Sequence, residues 1–494
     1  MAGGRFISMN KIRPGAYINF EASPVSRITV GDRGVATMLL PLSWGPEEEI
    51  IEVTGEDMIT GNSLAKIGLL VNDAAALPIN LALKNCSTVK VFNANSGGTE
   101  ASAVLGSVDI SYILTEDTAI VEGKTYYTRS GTGTEQDPYE YTAVVSPDVS
   151  DIGTYYERVE TTPLSVEAKY PGEFGNSIAM LIREIDDKFS VETYANGYAV
   201  DTQRVSTAAE LKDNAYVKFT SGPITAISST LLTGGADGTP ASNYLQTYFS
   251  ALRLTYWNVL AYTLDSDIDS VVEFIRTMRE DEGKYVQAVV ANYDNADYEG
   301  IINNVNGVVL DDGTQVSAVQ FTSWVAGASA GALITESITG KLVQNATGII
   351  GLMTNNEIAE GLTQGKFILS FNQDGSIKVE KDINSLHTFT IDKNYTFSKN
   401  RVIRELDEIG ASIENIWETT YLGKVSNNED GRTLFKSSII NYLTELENRG
   451  AIQDFDADRV EVIAGEDIDS VIANIAIKPV DSMEFLYLTI NVEQ

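Results

Sequence analysis

The hydrophobic pattern changes character several times along the 494 residues. Residues 35–42 are nearly unbroken apolar, as a strand covered on both sheet faces requires. Residues 63–83 carry a mixed, mostly helical pattern, and Val89-Lys90-Val91-Phe92 reads as another strand. From Asn95-Ser96-Gly97-Gly98 to about Pro171 the chain turns to short runs rich in Thr, Tyr, Val and Ser. Gly123, Gly131-Thr132-Gly133, Asp137-Pro138, Pro147-Asp148 and Gly153 punctuate them. Short β-prone runs between regular turn signals predict a small all-β module, inserted into an α/β pattern. The α/β pattern resumes near Ser177, with strands at 178–182, 259–262 and 287–291 and helices at 249–257 and 269–282. Such alternation predicts a parallel or mixed sheet with crossover helices.

After about Asn345 the pattern changes again. Residues 367–371 and 376–380 flank Asp374-Gly375, a hairpin signal. Val402, Leu406, Ile409, Ile413 and Ile416 recur at 4-3-4-3 spacing and predict one apolar helical stripe. Phe435, Ile439, Tyr442, Leu443 and Leu446 predict a second, with Gly450 where a C′ glycine would stop it. At the two ends lie single strands. Pro14-Gly15 precedes Ala16-Tyr17-Ile18-Asn19-Phe20, with nothing nearby in sequence to pair with it. Residues 485–492 alternate, with Leu486, Leu488, Ile490 and Val492 on one face and Tyr487, Thr489 and Asn491 on the other. Terminal strands of this kind are available to another subunit.

Charge narrows the function classes. Lys and Arg number 35 against 69 Asp and Glu, a net charge of −34, so phosphate backbones and anionic lipid surfaces are repelled. Hydrophobic residues at 43% and charged residues at 21% fit an ordered globular protein of two to four domains. Cys86 is the single cysteine and His387 the single histidine. Intrachain disulfides, multi-thiolate sites and two-imidazole metal sites are therefore excluded. No secretion signal opens the chain and no run of about 18 apolar residues occurs, so synthesis in the cytoplasm and release by a route such as lysis are expected.

Candidate chemistry is sparse. Gly327-Ala328-Ser329-Ala330-Gly331 matches a nucleophile elbow, followed by Glu336, Asp374, Asp382 and then His387, the order of a hydrolase triad. The elbow needs a strand and a sharp turn, whereas Trp324-Val325-Ala326 and Ala332-Leu333-Ile334 around it read as a tightly packed small-residue helix. Ser63-Leu64-Ala65-Lys66 fits S-x-x-K without companion motifs. The glycine-rich run at 232–239 lacks the lysine of a phosphate loop and reads as a turn. Acidic clusters at 294–297, 311–312 and 454–458 lack the spacing of a Ca²⁺ loop. No catalytic residue, cofactor or metal ligand is assigned.

Several segments in order along the chain resemble one family. Ile12-Arg13-Pro14-Gly15-Ala16-Tyr17-Ile18-Asn19-Phe20 is similar to the start of the contractile tail sheath proteins of Gram-positive phages, prophages and tailocins. Lys169-Tyr170-Pro171-Gly172-Glu173-Phe174-Gly175-Asn176, Leu232-Thr233-Gly234-Gly235-Ala236-Asp237-Gly238 and the small-residue helix at 325–331 resemble its internal motifs. Lys381-Asp382-Ile383-Asn384-Ser385-Leu386, Asn400-Arg401-Val402-Ile403-Arg404, Tyr421-Leu422-Gly423-Lys424-Val425-Ser426-Asn427 and Ile477-Lys478-Pro479-Val480 resemble its C-terminal domain, with Ser385 where many members carry Thr.

The resemblance implies an α/β and α+β multidomain fold. It comprises an arm (1–25), a subtilisin-like α/β domain without the protease triad (26–94 and 172–344) and an inserted β-sandwich module (95–171). A C-terminal α+β domain (345–480) and an arm strand (481–494) complete it. It further implies helical self-assembly around an inner tail tube protein, contraction that drives the tube through a target envelope, and contacts with baseplate and tail terminator proteins. No direct nucleic acid or membrane contact is implied. The arms, Gly15, Ala16, Tyr17, Ile18, Asn19 and Phe20 at one end and Phe485, Leu486, Tyr487, Leu488, Thr489, Ile490, Asn491 and Val492 at the other, would complete small sheets on neighbours by β-augmentation. Arg401, Arg404, Lys424, Arg432 and Lys436 are candidate tube-facing cations. The alternatives are a serine hydrolase using Ser329 and His387, and a non-contractile structural shell or adhesive surface protein.

Overall fold

A computed structural model describes residues 2–4, 15–17 and 34–492. The chain divides into two units, Val35–Trp257 and Asn258–Gln494, the second taken together with the described N-terminal residues.

In the N-terminal unit, the apolar strand Val35–Leu40 lies parallel to Thr88–Asn93, which pairs antiparallel with Ile50–Thr54. Ala36 and Met38 on the first strand are fully buried. Short helices Gly55–Thr60, Ser63–Ile67 and Leu77–Leu83 form the crossover, the first closed by a capping box between Thr54 and Asp57. Beyond it the unit is antiparallel. Four strands within residues 109–161 form one sheet. A three-stranded sheet contains Ser165–Ala168 at its centre, and a four-stranded sheet places Lys188–Ala195 and Ile178–Ile185 at its centre. The last two sheets share one core, in which Leu164, Val166, Ile178, Met180, Ile182, Val191 and Val217 meet Trp44 and Leu64.

This moves one expected boundary. Residues 178–182 do form a strand, but of an antiparallel meander; helix and parallel strand alternate again only from the helix Tyr244–Arg253 onward. The unbroken apolar run misleads because both of its faces are largely covered. Its hairpin turn, Asp186-Asp187 at φ 51° and 55°, carries no glycine to announce it.

The C-terminal unit contains the parallel strands Val259–Ala261, Gln287–Ala291, Ile301–Asn304 and Lys366–Phe367 in spatial sequence. The helix Ile268–Glu280 crosses between the first two, burying Val271, Val272, Phe274, Ile275 and Met278. The helix Ala318–Gly331 begins at a Ser317/Gln320 capping box and is buried from Phe321 to Ala330. Leu369–Phe371 and Ile377–Val379 form the expected hairpin, with Gly375 at φ 82°. Then come the helices Asn400–Ile416 and Glu429–Asn448 and the hairpin Val460–Ala464/Val471–Ile475. Ile409, Ile416, Phe435, Ile439, Leu443, Leu446 and Val460 share their core, and Gly450 at φ 76° ends the second helix.

The arms differ from each other. Gly15–Tyr17 pairs in parallel with Ala2–Gly4, correcting the expectation that nothing nearby would pair with it. A parallel pair is not closed by a tight two-residue turn, so no hairpin signal marks it. Ile18, Asn19 and Phe20 lie outside the described residues. Residues 485–492 adopt no strand, and their six large apolar side chains are between 69% and 93% exposed.

Candidate assembly interface

The motif segments resolve into three knots and two open edges. The first knot lies in the N-terminal unit. Gly172, at φ 127°, sits so close to the Ser43 carbonyl that a Cβ would stand 2.0 Å from its oxygen. Asp237 accepts from Glu173 N and Ser43 Oγ, both at 2.7 Å, and Asn176 bonds Gly235 at both its N–H (2.9 Å) and C=O (2.8 Å). The segments 169–176 and 232–238 thus interlock, beside the aromatic cluster of Trp44, Tyr170 and Phe174. The glycine-rich run is a structural clasp.

The second knot is at the heart of the C-terminal unit. Arg404 is fully buried; its Nη2 donates to Asp382 Oδ2 at 2.7 Å and to the Glu336 carbonyl at 2.9 Å, and its Nη1 to Ser329 Oγ at 3.4 Å. Asp382 also accepts from Asn400 Nδ2 at 3.0 Å and Ile338 N at 3.1 Å. Ser329 and Asp382, two members of the supposed triad, therefore do converge, but on a guanidinium. Ser329 lies fully buried inside a helix rather than on a strained turn. His387 is placed elsewhere: its Nδ1 faces Ser385 O at 2.9 Å and Asp297 Oδ1 at 3.3 Å. The described side chains give Ser329 no imidazole to activate it. Cys86 is buried, and burial pushes its thiol up to about 11, which suppresses the thiolate. Among the described residues no cluster of three His, Cys, Asp or Glu side chains is placed to hold a metal, and no helix is long and apolar enough to cross a membrane.

Burial also revises the proposed tube-facing set. Arg404 belongs to the knot, and Arg401 is 7% exposed, so neither is a surface charge. The 4-3-4-3 stripe could not reveal this, because the first half of the helix Asn400–Ile416 is enclosed on every side and buries Arg401, Arg404, Glu405, Asp407 and Glu408. Asp407 pairs with Arg279 at 2.6 Å. Among the described residues neither carboxylate oxygen of Glu405 has a hydrogen-bond partner. Burial pushes its carboxyl up to about 8, with Arg401 pulling the other way and Asp481 adding to the rise. Lys424 is exposed; Arg432 and Lys436 are half-buried, and Arg432 donates to Asn427 Oδ1 at 2.8 Å. Asn427 in turn holds the loop of the Val460–Ala464/Val471–Ile475 hairpin through Ile468 O and Ser470 O, both at 2.9 Å.

The third knot fixes the base of the C-terminal tail. Ala451 O accepts from Val480 N at 2.9 Å, and Gln453 N donates to Lys478 O at 3.0 Å. Next, Lys399 Nζ meets Asp481 at 3.1 Å and also Glu484, and Thr339 Oγ1 donates to Glu484 at 2.9 Å. Burial alone would push the Lys399 ammonium down; Glu484 and Asp481 more than offset this and hold it above the usual lysine range. Sequence reasoning missed this cluster because Lys399 lies 85 residues and Thr339 145 residues before Glu484, and no local pattern links them.

Buried knots, an apolar tail outside every sheet of the described residues and a two-stranded hairpin belong to a chain of mixed α/β, multidomain build. The chain belongs to the phage tail sheath family. Models of the phage tail sheath central domain and C-terminal domain match residues 244–385 and 392–493, and a model of the phage tail sheath protein beta-sandwich domain matches 150–237. A model of the tail sheath protein Gp18 domain III N-terminal region matches 33–94. The phage-like element PBSX protein XkdK of Bacillus subtilis (strain 168) is 30% identical over the full length of both chains. The crystal structure of a sheath tail protein from Desulfitobacterium hafniense is 33% identical, with a TM-score of 0.72 over 97% of this chain and 100% of that one. The anti-feeding prophage helical sheath in its contracted state shares the fold at 12% identity, with a TM-score of 0.53 over 97% and 99% of the two chains.

Proposed function

We propose that this chain is a structural subunit of a contractile tail sheath that polymerises helically around an inner tube and shortens to drive it through a target envelope. The observation that carries the reading is the tail at 485–492: alternating, apolar, outside any sheet and almost fully exposed. Exposed apolar segments of this kind are aggregation hazards unless a partner takes them up. The hairpin Val460–Ala464/Val471–Ile475 is only two strands wide, with Ile463 and Ile472 40% and 43% exposed. A neighbour's arm would add a strand to it, supplying main-chain hydrogen bonds without close packing of the bodies. Such a contact is head-to-tail, so it propagates as an open helix.

On this reading the parallel-stranded α/β region has the subtilisin-like architecture but no triad, and the antiparallel β segment is its inserted sandwich. Inner tube, baseplate and tail terminator proteins are the partners, in a particle assembled inside the host. Lys424, Arg432 and Lys436 remain candidates for the tube; charge reversal at Arg432 and Lys436 should weaken sheath–tube assembly, and unchanged assembly would remove them. Truncation after Glu484 tests the arm. A folded chain that no longer polymerises is expected, and polymerisation at the wild-type concentration would refute arm exchange.

A further inference from the structure

The tail does not become free where its chain leaves the last hairpin. From Pro479, which bridges to Ile452, it continues into Asp481 and Glu484, and both carboxylates meet the ammonium of Lys399. Lys399 is 4% exposed and the Glu484 side chain 7%. Thr339 joins them: its hydroxyl donates to Glu484 and accepts from Asp382 N at 2.9 Å, tying the tail to the loop that also holds Arg404. Phe485 still lies beside the body, with Lys381 Nζ 5.3 Å from its ring centroid. Every large apolar side chain beyond it is at least 70% exposed.

We infer that Lys399 is the positioning residue of the C-terminal arm, clamping Asp481 and Glu484 so that the arm leaves the body at Phe485 from a fixed point and with a fixed reach. This rests on the arm-exchange reading and adds to it where the tether is hinged. Lys399 occupies the N-cap position of Asn400–Ile416, where a donor-only ammonium cannot cap the helix, and its ion pairs go to Asp481 and Glu484 of the tail. The stretch 485–492 of the arm spans about 26 Å when extended. Unclamping four more, 481–484, lengthens the tether by about half and removes its direction. A lattice that depends on each arm finding one neighbour then loses effective concentration at the acceptor hairpin.

The test is hydrogen–deuterium exchange on the full-length chain, read peptide by peptide, alongside a polymerisation assay by light scattering. Lys399→Met should speed uptake in 479–488 by about tenfold or more, leave the helices unchanged and raise the concentration needed for assembly, while Lys399→Arg restores both. The pair Asp481→Asn with Glu484→Gln should reproduce Lys399→Met without touching the lysine, which keeps the test valid if that variant folds poorly. Unchanged uptake at 479–488 in both sets overturns the clamp. Faster uptake with normal assembly overturns its positioning role. Wild-type chains that never polymerise would sink arm exchange itself, a failure distinct from either.

Discussion

Glu405 offers the sharpest energetic consequence of this architecture. It is fully buried on the helix Asn400–Ile416, neither carboxylate oxygen has a hydrogen-bond partner among the described residues, and its pKa is raised from 4.5 to about 8. The folded chain therefore holds a proton that the unfolded chain has already lost at neutral pH. Stability is unaffected by this residue below the unfolded value of 4.5. Between 4.5 and 8 it falls with rising pH, and above 8 it levels off. A shift of this size costs about 5 kcal/mol at the plateau and roughly 3 kcal/mol at neutral pH, at about 1.4 kcal/mol per pH unit. Glu405→Gln keeps the shape and cannot ionise. Its stability should match wild type near pH 4.5 and exceed it by that growing margin up to pH 8. Urea denaturation of dilute, unassembled protein, compared between the two chains at each pH, cancels every other titrating group. A difference that stays flat from pH 5 to pH 8.5 would refute the reasoning.

Arg404→Met breaks the buried pair with Asp382 and strands a carboxylate, so a loss of about 3–5 kcal/mol is expected in the same denaturation assay. Gly172→Ala places a Cβ against the Ser43 carbonyl in a backbone region open only to glycine, and a loss on the order of 1–3 kcal/mol should appear as a lower thermal midpoint. Ser329→Ala removes one long hydrogen bond from Arg404, so stability should change by less than about 1 kcal/mol and assembly not at all; loss of an ester-hydrolysing activity in that variant would reopen the hydrolase alternative.

Periodicity was readable where one face of a helix is buried, and unbroken apolar runs marked strands covered on both faces. The helices Ile268–Glu280 and Glu429–Asn448, the strands Val35–Leu40 and Gln287–Ala291, and the Asp374-Gly375 hairpin all fall where the pattern puts them. It failed over strand direction, buried charge and remote pairing. Residues 178–182 look like a parallel strand because both faces are largely covered. Arg401 and Arg404 look like surface charges because a sequence does not reveal Asp382 waiting in the core. The small-residue helix around Ser329 was legible from its composition, but its guanidinium partner, 75 residues away, was not. The tail was legible as an alternating apolar segment, which the structure leaves outside any strand, whereas its clamp at Lys399 depends on residues brought together by the fold.

The central claim is that this subunit builds a tube through its arms and that the tube shortens. Electron microscopy of purified chain at high concentration, alone and coassembled with its tube protein, tests it most directly. The account predicts striated hollow tubes in both samples, with a shorter helical rise and a wider diameter when the inner tube is absent. Compact monomers or closed dimers at every concentration would contradict it.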